Sequence, residues 1–195
     1  MKKFKKIQKA EFGKIVEIHR YQEALLEVRE RRFEKIQKKC EQFGHCLVLS
    51  INIPGANKRS ALGKRIYFEA VRILRSKIGI KIILQEEFEH FDGNFCFFTF
   101  HLYRESLTRI KKLCIQIEEN HFLGRFFDLD YYMVDEFEKT RSISRGNMNR
   151  ELRKCYICSK MAKVCVKEKN HTEIELYEAM TKRVNQFKKW VNLWR

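Results

Sequence analysis

Proline is nearly absent from this chain, with Pro54 the single instance in 195 residues, so long rigid linkers are excluded. Long apolar runs are missing too. No stretch approaches the roughly 18–20 consecutive apolar residues of a membrane span. The opening segment, MKKFKKIQKAEF, is basic, but it has neither the apolar core nor the small-residue cleavage site of a signal peptide. The chain is therefore expected to be cytoplasmic, with no membrane partner. Its seven cysteines are then expected to be reduced, and their odd number fits poorly with a closed set of disulfides. There is no P-loop glycine pattern, no internal repeat and no low-complexity segment beyond the basic start.

What is present is a core and an excess of positive charge. Hydrophobic residues make up 44% of the chain, aromatics 13% and charged residues 34%, a balance that fits a globular domain of 1–195 with a basic extension at 1–12. A net charge of +16 points to an anionic partner: a nucleic acid, a phosphorylated small molecule or an acidic protein. A general lysine richness accounts for the same excess equally well.

The apolar positions Ile15, Ile18, Ala24, Leu25, Val28, Phe33, Ile36 and Cys40 recur at helical spacing, predicting one or two helices over 14–43, most securely 21–43, closed by Gly44. CLVLSINI (46–53) reads as a strand ending at Pro54-Gly55. Ser60 is a candidate N-cap for a helix over 60–79. Residues 80–91 and 95–102 read as strands joined at Asp92-Gly93, 104–120 as a helix and 125–134 as a strand. The order is a helix followed by β-α-β-β-α-β, which predicts an α/β fold with a ferredoxin-like split βαβ core and two helices on one face of an antiparallel sheet. A short hairpin or loop carrying RSISR, a cysteine knuckle over 155–171 and a closing helix over 172–195 complete it.

Five constellations could carry chemistry. The first lies in HFLGRFFDLDYYMV (121–134). A strand disfavours aspartate, yet Asp128 and Asp130 sit one residue apart. At the two-residue period both carboxylates leave the same face, with α-carbons roughly 6–7 Å apart. Such a pair is either a solvated outer face or a holder of Mg²⁺, which favours oxygen ligands and bridges to phosphates. Arg125, behind Gly124, could meet a phosphate beside it.

The second is NIPGANKRS (52–60), where a strand ends at Gly55, Lys58 and Arg59 follow, and a helix begins. This is either an anion site or an ordinary turn. The third is Cys155, Cys158, Cys165 and His171, spaced C-x2-C-x6-C-x5-H. That set is either a tetrahedral zinc site, structural because four protein ligands leave no open position, or a group of reduced cysteines beside a surface histidine. The fourth is Arg29 and Arg32, which share a helix face and either reach a phosphate or make salt bridges in solvent. The fifth is the run Phe95, Phe97, Phe98 and Phe100, which is either buried strand or a platform for RNA bases.

Taken in order, these stretches resemble the CitX family, the apo-citrate lyase phosphoribosyl-dephospho-CoA transferases. Leu25, Leu26, Arg29 and Arg32 fit its LLxxRxxR helix, and Pro54, Gly55 and Lys58 fit its strand-ending turn. HFLGRFFDLDY is similar to its HPLGRLWDIDV signature at His121, Leu123, Gly124, Arg125, Asp128 and Asp130. Ser144 and Arg145 fit a later Ser-Arg. Arg153, Cys155, Cys158, Ala162, Cys165 and His171 fit its cysteine tail. The chain departs from the pattern at Phe122, where the family often has proline, and at NRELRK before the cysteines.

The resemblance implies a nucleotidyltransferase-type reaction. The phosphoribosyl-dephospho-CoA group of 2′-(5″-triphosphoribosyl)-3′-dephospho-CoA passes to a serine of the citrate lyase acyl carrier subunit, and pyrophosphate leaves. It implies Asp128, Asp130 and Arg125 in catalysis, with Mg²⁺ on the aspartates. Lys58, Arg29, Arg32, Gly55, Gly124, Ser144 and Arg145 are the implied substrate-binding set. No nucleic-acid partner is expected on this reading. The rival is a ferredoxin-like RNA-binding module without activity, which requires exposed aromatics on the sheet.

Overall fold

A computed structural model of the chain describes residues 2–55, 58–78, 82–90, 92–100 and 107–192, with side chains from Arg20 to Val191. The chain divides into two compact units, residues 1–38 and 39–195. The first unit is the body of one long helix, α1 (Lys2–Phe43). The expected helix at 14–43 thus extends unbroken through the basic extension, because nothing there interrupts it but Gly13, which a helix tolerates. Gly44 ends it as expected: at φ +78° it takes the left-handed conformation that glycine adopts without cost, and its N–H donates to the Cys40 carbonyl at 2.7 Å.

The second unit runs β1 (His45–Ile51), α2 (Ala61–Ile78), β2 (Ile82–His90), β3 (Gly93–Phe100), α3 (Leu107–Asn120), β4 (Phe127–Val134), β5 (Thr140–Ile143), α4 (Ala162–Glu168) and α5 (Glu173–Asn192). The helix end expected at Gly79, the strand ends expected at 80–81, 91 and 101–102, and the helix start expected at 104–106 lie outside the described residues. Short 3-10 turns at Gly124–Phe126 and Gly146–Met148 lead into and away from the β4–β5 hairpin. No helix is long and apolar enough to cross a membrane, among the described residues.

The strands form one antiparallel sheet in the order β2-β3-β1-β4-β5. Its first four strands have the ferredoxin-like arrangement that the element order predicted, and β5 adds an edge strand through a hairpin. Asp135 holds that hairpin's turn, its Oδ1 accepting the N–H groups of Phe137 and Lys139 at 2.9 Å each.

Alternation sorts the side chains. Leu47, Leu49, Cys96, Phe98, Phe127, Leu129 and Tyr131 point to one face and are buried with Ile66, Ala70 and Leu74 of α2, Ile110, Cys114 and Ile117 of α3, and Met180 and Val184 of α5. Ser60 caps α2 as expected, accepting from the Gly63 N–H at 3.1 Å. A capping box starts α5: the Glu175 N–H donates to Thr172 Oγ1 at 3.2 Å and the Thr172 N–H to Glu175 Oε2 at 2.7 Å. On the opposite face stand Val48, Ser50, Phe95, Phe97, Asp128 and Asp130, as the registers Ser50↔Asp128, Val48↔Asp130, Val48↔Phe97 and Ser50↔Phe95 require. The β3 phenylalanines are buried, none more than 5% exposed, so they offer no platform for stacking bases.

Candidate active site

The β4 pattern places the two carboxylates where the sequence predicts. Phe127, Leu129 and Tyr131 are buried, while Asp128 and Asp130 alternate with them as partly exposed positions on the other face. Their surroundings are not a freely solvated surface. Arg153 Nη1 donates to Asp128 Oδ1 at 2.6 Å and Ser50 Oγ donates to Oδ2 at 3.5 Å. Asp130 has no such partner among the described residues. Burial pushes its carboxyl up to about 6, and the neighbouring Asp128 charge pushes the same way. The pair therefore carries a surplus of negative charge on oxygen donors, the condition a hard divalent cation relieves.

The free edge of β4 explains how a helix on one face reaches a site on the other. β5 pairs only from Tyr131 onward, so the Leu129 N–H and C=O face outward without a strand partner. Two buried charges of α3 satisfy them: the Leu129 N–H donates to Glu118 Oε1 at 3.0 Å, and Lys111 Nζ donates to the Leu129 carbonyl at 3.0 Å. Glu118, 3% exposed, then gathers the cations. Arg153 Nη2 donates to its Oε1 at 2.6 Å and Arg145 Nη2 to its Oε2 at 2.5 Å, while Arg145 Nη1 reaches Glu119 at 2.8 Å. Burial works against the charge of Arg153, but Glu118 and Asp128 outweigh it and hold the guanidinium above its usual range.

Arg125 stands apart. It is half-buried on the 3-10 turn ahead of β4 and has no hydrogen-bond or ion-pair partner among the described residues. Burial lowers its pKa, and repulsion from Arg153 and Arg145 lowers it further. A guanidinium held near two others without a counter-ion is set up for an anion. Gly124 places it there. A β-carbon at Gly124 would stand 2.4 Å from the Ile117 carbonyl and 2.6 Å from that of Glu118, so glycine alone lets this turn pack on the end of α3.

The other expected residues have these surroundings. Lys58 donates to the Ile53 carbonyl, and Arg59 pairs with Glu89 at 3.2 Å. Gly55 has a positive φ of +76° and faces Glu173 of α5. Ser144 organises a turn, its N–H and hydroxyl both donating to Asn147 Oδ1 at 2.9 and 2.6 Å, and does not join the cluster that its neighbour Arg145 enters. Arg29 and Arg32 are on α1 in the first unit, Arg29 exposed and Arg32 half-buried.

Cys155, Cys158, Cys165 and His171 converge, with their ligand atoms all within 4.8 Å of one another. They are the one such group of metal-ligating residues found among the described residues.

Glu118, Lys111 and Arg153 were missing from the expected site. A signal for two of them exists: Lys111, Cys114 and Glu118 share one helical stripe, so a lysine and a glutamate stand on a buried face. His121 has a structural place. Its Nδ1 accepts the Leu123 N–H at 3.1 Å, which leaves the proton on Nε2 facing Glu69 Oε1 at 3.2 Å.

The pattern of the CitX family, "Apo-citrate lyase phosphoribosyl-dephospho-CoA transferase", matches residues 21–187. Protein CitXG of Leuconostoc mesenteroides subsp. cremoris is 32% identical over 170 residues, 85% of this chain but 35% of that protein, so the chain spans about a third of its length. A probable apo-citrate lyase phosphoribosyl-dephospho-CoA transferase of Streptococcus pyogenes serotype M3 is 29% identical over 74% of this chain and 73% of its own. One from Vibrio cholerae serotype O1 is 28% identical over 63% and 67%.

Proposed function

The chain belongs to the CitX family, and from that premise we propose that it is a transferase acting on apo-citrate lyase. It takes 2′-(5″-triphosphoribosyl)-3′-dephospho-CoA as donor and the acyl carrier subunit as acceptor. The carrier serine Oγ attacks the α-phosphorus of the triphosphate. The serine O–P bond forms, the bond to the leaving pyrophosphate breaks, and the serine proton passes to a base. The observation that carries this reading is the presence of Asp128 and Asp130 on one face of β4, in a chain whose Arg125 makes no hydrogen bond or ion pair among the described residues.

Phosphoryl transfer needs in-line positioning and charge neutralisation more than covalent catalysis. Arg125 holds a phosphate oxygen of the triphosphate, and Arg145, whose buried Nε has no partner among the described residues, stands ready beside it. Glu118 fixes Arg145 and Arg153, so that the cations are oriented before the donor arrives. Asp128 and Asp130, with the Ser50 hydroxyl across the strand, are an all-oxygen donor set that fits Mg²⁺. When bound there, that ion neutralises phosphate charge. With that ion bound Asp130 is held ionised, and its free oxygen is the acceptor we assign to the serine proton.

The test is intact mass of a purified citrate lyase acyl carrier subunit after incubation with this protein, Mg²⁺ and the donor. The expected result is a gain of one phosphoribosyl-dephospho-CoA group, absent when the acceptor serine is replaced by alanine. No gain on this carrier, with gain on the carrier of a different lyase or decarboxylase, contradicts the assignment of acceptor. No gain on either contradicts the reaction.

A further inference from the structure

We propose that Cys155, Cys158, Cys165 and His171 bind one zinc ion tetrahedrally, and that this ion clamps Arg153 onto Asp128 and Glu118. Neither half of the proposal depends on the transferase reading.

The geometry is that of a site with one centre. The Cys158 and Cys165 sulfurs are 3.3 Å apart, and His171 Nε2 is 3.3 Å from Cys158 Sγ. Ligands at the usual Zn–S distance of about 2.3 Å stand about 3.8 Å from one another across a tetrahedron, so this cluster is near the spacing that zinc imposes. A disulfide between Cys158 and Cys165 would account for one of these approaches. It would not account for Cys155 and His171 closing on the same point. The sulfurs also receive donors that suit thiolates: the Ile157 N–H donates to Cys155 Sγ at 3.4 Å and Asn170 Nδ2 to Cys165 Sγ at 3.8 Å. Three soft sulfurs and an imidazole select zinc over the hard ion expected at the aspartates, and they leave no position for a substrate.

Apart from Tyr156, the surrounding segment buries little apolar surface. Between Asn149 and Met161 the chain forms no helix or paired strand beyond an isolated Lys154↔Met161 bridge. Its apolar side chains Leu152, Ile157 and Met161 are exposed at 55%, 40% and 48%. A segment without an apolar core of its own takes its folding energy from a metal. The ligands come from three rigid places: a tight turn closed by the Cys155 N–H donating to the Lys160 carbonyl at 2.8 Å, the short helix α4 carrying Cys165, and His171 directly before the capping box of α5.

The clamp follows from the backbone. Arg153 lies two residues before Cys155, and its carbonyl accepts the Ala162 N–H at 2.8 Å, tying it to the start of α4. Tyr156, between two ligands, packs edge-on against Phe126 at 5.4 Å, next to Arg125. Fixing the four ligands therefore fixes both the residue that pairs Asp128 with Glu118 and the ring that backs the Arg125 turn. Arg153 acts here as a positioning residue.

The test uses the full chain purified in reductant without chelator. Elemental analysis is expected to give one zinc per chain. Cobalt replacement is expected to give the intense visible absorption of a tetrahedral thiolate site. Cys165→Ser is expected to lower the zinc content at least tenfold. For the clamp, the guanidinium protons of Arg153, protected by two ion pairs, are expected in nitrogen-15 NMR spectra of the zinc protein. They should vanish on zinc removal, return with zinc but not with Mg²⁺, and be missing in Arg153→Lys. Wild-type protein that takes up neither zinc nor cobalt, or that is lighter by two hydrogens with Cys158 and Cys165 linked, overturns the metal site. Arg153 signals unchanged by zinc removal overturn the clamp.

Discussion

Glu69 and Asp130 are both carboxylates set mostly out of water, on opposite sides of the sheet, and they end in opposite states. Burial raises the pKa of both. At Glu69 it is overcome by hydrogen bonds from Arg72 at 2.9 and 2.6 Å and by the His121 contact, which bring the carboxyl down to about 2. At Asp130 the nearest strong influence is a second carboxylate, and the group rises to about 6. The first is a completed structural pair. The second is a mismatch that the fold retains, and such a mismatch is where chemistry is expected.

Four variants test that contrast. The largest effect is expected from Asp128→Asn with Asp130→Asn: loss of about 10³-fold or more in transfer rate, roughly 4 kcal/mol of transition-state stabilisation. Thermal unfolding should show only a small loss of stability, since relief of the repulsion between the aspartates offsets the weakened Arg153 contact and Glu118 still pairs that guanidinium. Next is Glu118→Ala, which removes the partner of two half-buried arginines and of the Leu129 N–H. It is expected to destabilise the fold by about 3 kcal/mol in urea titration. A loss as small as that of an exposed ion pair would break the view that Glu118 organises the site. Arg125→Ala is expected to lower kcat/KM for the donor by about 10²-fold with no loss of stability, because it relieves repulsion from Arg145 and Arg153. Equal losses of activity and stability would make Arg125 a structural residue.

The smallest effect is a matter of pH. A carboxyl lowered from 4.5 to about 2 contributes stability that is fully present above 4.5 and is lost as pH falls through about 2. Glu69→Gln should therefore flatten part of the decline in stability below pH 4.5 and lower stability at pH 7. A variant with the wild-type acid profile would break the contrast from the helix side.

The sequence made the frame legible because its signals were local. Gly44, Ser60 and Asp92-Gly93 mark boundaries through backbone chemistry within a few residues of themselves, and the alternation of FDLDY shows which face of β4 is buried. The cysteine spacing left two readings open, and the structure brings the four side chains together. What was not legible depends on contacts between distant segments. Arg153 and Glu118 are 35 residues apart, and neither says alone that the other will meet it at the free edge of β4. Gly124 reads as a phosphate-approach glycine in sequence, whereas the structure gives it a packing reason, the carbonyls of α3.

The most direct test of the central claim is single-turnover transfer to the acyl carrier subunit by Asp130→Asn alone, with donor binding measured on the same protein by calorimetry. The account predicts donor affinity within about threefold of wild type and a transfer step slowed by about 10³-fold, because the surplus carboxylate serves the chemistry rather than the fold. A transfer step at the wild-type rate would contradict it and return the aspartates of β4 to the role of a charged strand face.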